Sequence, residues 1–236
     1  MIRPNFFISP HFIAKYYLLR DIKKICNRYQ FSGSLLDIGC GNKPYKDMFT
    51  HVTRYEGIDY KNCSNNKEFI GSIPDYYFSR NYDKNFRLPF DNNSFDNTVS
   101  FQVLEHHPDY LTLIGELFRV TKKSGYILLS APFLWPIHEE PLDFQRVTQY
   151  GIKNIIRKHQ GSLLCILKQG SVLSTISIIW NEYLINISKK NRVYRILSIA
   201  IYLPFLIFSY SCLIWDLLFK SSQIYFNYLV LIRKIK

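Results

Sequence analysis

The chain has no Cys-x-x-Cys pair and no cysteine beside histidines at metal-ligand spacing. Its five cysteines (Cys26, Cys40, Cys63, Cys165, Cys212) are odd in number and scattered along the sequence. They read as reduced, mostly structural thiols of a cytoplasmic protein, and no metal site is expected. A secretory leader is not expected either, because Pro4, Pro10, His11 and Lys15 break the apolar runs of MIRPNFFISPHFIAKYY. Internal repeats and low-complexity tracts are also missing.

At 236 residues and 47% hydrophobic content, the chain is long enough to bury one substantial core with an elaboration. Its formal charge of +12 suits an anionic partner, either nucleic acid or a bilayer surface, and charge by itself does not choose between them.

Apolar residues Phe12, Ile13, Tyr16, Leu19, Ile22 and Ile25 recur at helical spacing between His11 and Tyr29. Ser34 to Ile38 reads as a buried strand bounded by Gly33 and Gly39, and Arg54 to Asp59 as a second strand ending in a carboxylate. Between them, Lys46 to His51 is polar and helix-length. A strand over Asn97 to Gln102 follows the turn signal DNNSFD, and a helix over LTLIGELFRVT is expected to end near Ser124-Gly125, before the strand YILLSAPF. Two more strands are expected at 162 to 169 and 224 to 233. Alternating strands and helices imply a parallel sheet covered on both faces, with ligands at the carboxyl ends of its strands.

The first strand runs into two glycines in LLDIGCGNKP. They either supply positive φ for a tight turn or leave room for a ligand. A dinucleotide fingerprint needs a third glycine where this chain has Pro44. Asp37, at the strand end, would repel a phosphate and attract an ammonium. An adenosine with a cationic, phosphate-free tail is therefore the better ligand. Asp59 follows Gly39 by twenty residues, the distance at which a second strand presents a carboxylate to ribose hydroxyls.

LLDIGCG, EGID, LPFDNNSFDNTVSFQVLEHHPD and ELFRVTKKSGYILLSAPF, in that order, resemble class I S-adenosylmethionine-dependent methyltransferases of the type 11 domain, over residues 34 to 133. The resemblance implies a Rossmann-like α/β sheet, mostly parallel with an antiparallel last strand, and S-adenosylmethionine as cofactor. It implies that Asp37 holds the methionine amino group and that Gly39, Cys40 and Gly41 give close backbone approach. Asp59 would bind the ribose hydroxyls and Tyr60 would flank the adenine. An acidic residue before the LPF element would meet the adenine amino group; Asp83, with Asn85 and Phe86 nearby, is the candidate, although NYDKNFRLPF is one residue looser than the family's usual spacing. Gln102 would face the transferable methyl, and Phe95-Asp96 would anchor the turn.

Methyl transfer is an in-line displacement in which approach and alignment supply much of the acceleration. A hydroxyl acceptor also benefits from a base, for which histidine suits neutral pH. His106 in LEHHPD and His138 in APFLWPIHEEPLDFQRVT are the candidates. Each also has a structural reading, His106 as a loop anchor and the second segment as a solvated loop in which Asp143 and Arg146 pair across one helical turn. Trp135, His138, Asp143 and Arg146 form a mix suited to gripping a polar substrate. That segment resembles methyltransferases associated with bacterial surface polysaccharides, which implies a sugar, glycan or lipid-linked hydroxyl; a quinone-like lipid acceptor and a non-catalytic cofactor-binding scaffold remain as alternatives. Nucleic acid is disfavoured as substrate because LEHHPD replaces the Asn/Asp-Pro-Pro-aromatic signature of amino-group methylation.

Leu197 to Phe219 holds 18 hydrophobic residues in 23, enough to span a bilayer. A hairpin would place SKKNRVYR outside, against the positive-inside tendency. Helices lying in the interface are preferred, with Lys189, Lys190, Arg192 and Arg195 on anionic head groups and Trp180 and Trp215 at the boundary. The alternative is a buried helical subdomain or dimer interface, which Pro204 and Asp216 favour. The resulting organisation is a helical cap at 1–30, a cofactor-binding core at 31–170, an apolar insertion at 171–222 and a returning strand at 223–236, in a protein placed on the inner face of the membrane.

Overall fold

The computed structural model describes residues 9–60, 73–78, 86–219 and 223–236. The elements in chain order are α1 (Phe12–Arg28), β1 (Gly33–Ile38), β2 (Val52–Tyr60), β3 (Tyr76–Phe78), β4 (Phe95–Phe101), α2 (Tyr110–Val120) and β5 (Thr121–Pro132). They continue with α3 (Gln149–Lys158), β6 (Gly161–Gln169), α4 (Val172–Ser188), α5 (Arg192–Leu218) and β7 (Asn227–Lys234). The seven strands form one sheet in the order β3-β2-β1-β4-β5-β7-β6. β2 with β3, β1 with β2, β1 with β4 and β4 with β5 all pair in parallel. β7 enters antiparallel, and the fold is Rossmann-like, as the sequence implies.

The chain divides into two compact units. The larger contains Asp21–Pro132, His138–Leu167 and Leu229–Lys236, and with them most of the sheet. β1 is buried from Ser34 to Ile38, and β4 buries Val99 and Phe101. Such continuous apolar burial is what a strand covered on both faces requires. α2 starts at Asp109, whose side chain accepts from Thr112 N at 3.1 Å, and it buries Leu113, Ile114, Leu117 and Phe118.

Several boundaries differ from expectation. Thr121 leaves α2 for β5 because its hydroxyl bonds Leu117 O at 2.6 Å and Thr98 Oγ1 at 2.8 Å. KKSG is thus an irregular strand start, where the β4–β5 register shifts, and not a helix end. Lys46 to His51 holds only a 3₁₀ turn, Lys46–Met48. α3 is not anticipated by the sequence reading, although Thr148 caps it by accepting from Gly151 N at 3.1 Å and Ile152, Ile155 and Ile156 form its buried stripe.

In the smaller unit (residues up to Arg20, Phe133–Ile137 and Lys168–Tyr228), Phe12, Ile13, Tyr17, Ile178, Cys212 and Phe226 make a core cluster. Asp216 lies buried within this unit, accepting from the Tyr17 hydroxyl at 2.5 Å and from Ser171 Oγ. Ser177 and Ser209 link α4 to α5 at 2.7 Å. α5 bends by 44° between Arg192–Tyr202 and Pro204–Asp216, as a proline without an amide hydrogen inside a helix dictates. Among the described residues no single helix is long and apolar enough to cross a membrane, and this bent pair alone passes that test by length and composition.

Candidate cofactor and acceptor site

The carboxyl ends of β1, β2 and β4 meet at the glycine turn. Gly39 has φ +72° and Gly41 φ +48°. A Cβ on Gly39 would lie 2.2 Å from Val103 Cγ2, whereas one on Gly41 would meet nothing within 4 Å. Gly39 is therefore required by close packing against the β4 terminus, and Gly41 borders open space that a ligand can approach. Cys40 is buried and, with Lys43, fills the space beside Gly57, where a Cβ would lie 2.5 Å from Cys40 Sγ.

Asp37 is buried, and Tyr55 donates its hydroxyl to Asp37 Oδ2 at 2.5 Å. Burial pushes the Asp37 carboxyl up to about 7; the Tyr55 hydrogen bond opposes the shift, nearby Asp59 adds to it and Lys43 opposes it. Asp59 lies 18 residues beyond Gly41 in sequence and folds back onto it, accepting from Gly41 N at 2.7 Å through Oδ2 and from Tyr60 N at 2.7 Å through Oδ1. Asp75, not anticipated from sequence, completes this edge by accepting from Lys43 Nζ at 2.7 Å and Gly57 N at 2.6 Å. Burial works against its charge, but Lys43 and the Gly57 amide keep its carboxyl below the usual range.

These residues fit the implied cofactor. A desolvated carboxylate at the end of β1 is a natural counter-charge for an ammonium. The second carboxylate, fixed by two backbone amides, keeps lone pairs for a diol. Asp37 would hold the amino group, Gly41 would admit the ligand to the turn and Asp59 would take hydroxyls. Bound there, S-adenosylmethionine supplies an electrophilic methyl group. Tyr60 is half-buried at the end of β2. The Gln102 side chain donates to Ser130 Oγ at 2.8 Å, with the backbone held at φ +57°. The Phe86 ring stands edge-on to His107 at 4.6 Å. Asp83 and Asn85 lie outside the described residues.

A second cluster begins three residues past Val103. The 3₁₀ turn Leu104–His106 brings His106 to His138, with ring centroids 4.9 Å apart. His106 Nδ1 lies 2.7 Å from Leu142 O. A carbonyl only accepts, so Nδ1 carries hydrogen and Nε2 is the outward nitrogen. His138 is fixed to Asp143 through its backbone N at 3.0 Å and its Nδ1 at 3.2 Å. Arg146 clamps Asp143 with both terminal nitrogens, Nη2 to Oδ2 at 2.7 Å and Nη1 to Oδ1. Burial works against the Asp143 charge, yet the guanidinium and the His138 amide hold its carboxyl at about 2. The Asp143–Arg146 pair lies in irregular chain before α3, and its carboxylate side chain is buried, so the pairing is neither solvated nor helical. Trp135 belongs to the smaller unit, where it stacks on His11 at 6.4 Å and meets Phe226 edge-on at 6.2 Å.

Glu105 is the residue that sequence reasoning passes over. Its side chain is 1% exposed, and neither carboxylate oxygen has a hydrogen-bond partner among the described residues. Burial pushes its carboxyl up to about 8.

Residues 36–129 match the family model described as "Methyltransferase domain". The sterol 24-C-methyltransferase of Schizosaccharomyces pombe is 30% identical over 100 residues, 39% of this chain and 25% of that protein. The chain thus spans about a quarter of the length of the curated relative it matches. An S-adenosylmethionine-dependent methyltransferase structure from Mesorhizobium loti superposes with TM-score 0.54 at 14% identity, over 95% of this chain and 98% of that one. Coclaurine N-methyltransferase bound to N-methylheliamine and SAH superposes with TM-score 0.51 at 12% identity, over 92% and 72%. The fold is that of Rossmann-like methyltransferases.

Proposed function

We propose that the protein transfers a methyl group from S-adenosylmethionine to a hydroxyl of a sugar, glycan or lipid-linked acceptor. The observation that carries this reading is the adjacency of two sites on one chain segment. Val103 packs against Gly39 of the cofactor turn, and the next residues deliver Glu105 and His106. A polar acceptor placed between the two would be held by Asp143-supported His138 and by His106, whose outward nitrogens are suited to draw a proton from a hydroxyl. Approach and alignment supply the remainder of the acceleration. Calorimetry with S-adenosylmethionine tests the cofactor half: Asp37→Ala should bind at least ~100-fold more weakly, as loss of a buried charge partner implies, and unchanged affinity rejects the assignment. Transfer of radiolabelled methyl to a panel of sugars, lipid-linked saccharides and quinols, followed by mass spectrometry, tests the acceptor half; label appearing on nitrogen or carbon alone would reject it.

We further propose that the smaller unit lies on an anionic membrane face. In support, α4 and α5 leave Ile176, Trp180, Tyr183, Ile196, Ile207 and Leu218 exposed, Ile207 at 75% and Leu218 at 71%. Lys189, Lys190, Arg192 and Arg195 cluster between and at the start of these helices. Amphipathic helices with basic residues and boundary aromatics bind interfaces in this way. The full chain should float with liposomes containing anionic lipid; recovery in the pellet at every lipid composition overturns the assignment.

A further inference from the structure

Sequence spacing carries no metal signature, yet Glu105, His106 and His138 each offer one ligand atom within 4.8 Å of the others. We propose that these three side chains bind a single divalent cation of the zinc class. Two imidazoles and a carboxylate are the donor set that first-row divalent ions favour.

Glu105 carries the argument. A buried carboxylate with both oxygens lacking partners is among the costliest groups a core can hold. A cation would give both oxygens a partner, and the neighbouring groups are arranged for one. Leu142 O fixes the hydrogen of His106 on Nδ1, so Nε2 presents its lone pair when the ring is neutral. That atom faces Glu105 Oε1 at 3.8 Å and Glu139 Oε2 at 3.9 Å. These separations are too long for hydrogen bonds. They are within a few tenths of an ångström of the ~3.5 Å expected between two ligands that each lie about 2.0–2.2 Å from one tetrahedral ion. His138 has the outer support common to metal-bound histidines, its Nδ1 set against Asp143 at 3.2 Å, with Arg146 keeping that carboxylate ionised. Glu139, exposed at the rim, is placed to complete or relinquish a fourth position.

Three protein ligands leave a tetrahedral ion one open position, which takes an oxygen atom of a small molecule. The ligand class that follows is a hydroxyl-bearing molecule, such as a sugar. Use of the cation to orient and acidify the acceptor hydroxyl, in place of proton abstraction by the two imidazoles whose lone pairs the ion would hold, rests on the methyl-transfer reading above; the existence of the site does not.

The test uses the full chain stripped with chelator and titrated with zinc chloride alone, with cobalt(II) absorption as a report on nitrogen and oxygen ligation. One equivalent should bind. Glu105→Gln and His106→Gln should each lower affinity by ~100-fold or more, and Asp143→Asn by about 10- to 100-fold. Asp37→Ala should leave zinc binding unchanged. Circular dichroism and S-adenosylmethionine binding report folding, and His138→Gln, on a partly exposed loop, reads the site if a buried variant fails to fold. Binding below one equivalent by the full chain, or equal zinc affinity in the folded ligand variants, overturns the proposal. Zinc bound without methylation of any hydroxyl would leave the site standing and overturn the acceptor reading instead.

Discussion

Two buried carboxylates near the same strand ends are treated in opposite ways. Asp59 has each oxygen filled by a backbone amide, Gly41 N and Tyr60 N, both at 2.7 Å. Glu105 has neither oxygen filled by any described group. The first carboxylate is completed by its own chain, which makes it an architectural part of the turn as well as a candidate partner for ribose hydroxyls. The second has the desolvation without the compensation, the mark of a group whose partner comes from outside. Buried charge alone therefore does not tell which carboxylate still lacks a partner; the partner count does.

The contrast predicts opposite responses to mutation. Asp59→Ala removes two charge-assisted hydrogen bonds at once and should lower unfolding free energy by about 3–5 kcal/mol, read from the urea midpoint. Gly39→Ala should cost about 3 kcal/mol, combining a left-handed backbone with contact against Val103, whereas Gly41→Ala, with free space around it, should cost about 1 kcal/mol while weakening cofactor binding. The two variants thus separate packing from ligand approach.

Asp37 gives a pH dependence of defined sign. Its folded carboxyl is raised to about 7 by burial, so the stability it contributes is full below the unfolded value near 4 and is lost as pH rises towards 7. An ammonium ligand prefers the ionised form. Cofactor affinity should therefore rise by up to ~100-fold between pH 5 and 7.5, and Asp37→Asn should flatten both profiles in calorimetry and thermal melts. The smallest expected effect is the most pointed: Glu105→Gln in chelator-treated protein should leave stability unchanged or raise it by about 1–2 kcal/mol. A loss comparable to that of Asp59→Ala would show that Glu105 has a structural partner after all.

The glycine turn was legible because its signals are local. LLDIGCG places a buried strand, two glycines and Asp37 within seven residues, and Asp59 follows at the spacing of the next parallel strand. Asp75 was not legible, since its partners Lys43 and Gly57 are 32 and 18 residues away in sequence. Glu105 was hidden in plain view. In LEHHPD the histidines advertise chemistry, while burial and the lack of hydrogen-bond partners are tertiary properties that no spacing encodes. The missed α3 is a different failure: Gly151 and Asn154 weakened its propensity, but the Thr148 cap, the isoleucine stripe and Arg157 and Lys158 in its last turn formed a readable helix signature.

The apolar insertion shows how hydropathy can be right about composition and silent on disposition. Leu197 to Phe219 is as apolar as a spanning segment, but α5 places Ser209, Cys212 and Asp216 inside and Ile207, Ile214 and Leu218 outside. Asp216, which weighed against deep insertion, is held by Tyr17 and Ser171. One helix thus serves both a packed interior and an exposed apolar face.

The strand order carries a consequence for biogenesis. β7 lies between β5 and β6, yet the ribosome makes it only after α4 and α5 have emerged. Until then β5 presents a bare hydrogen-bonding edge in the middle of the future sheet, while the greasiest stretch of the polypeptide is being extruded. Closure of the domain is therefore a late, long-range step, and the nascent chain passes through an interval in which chaperone contact competes with aggregation.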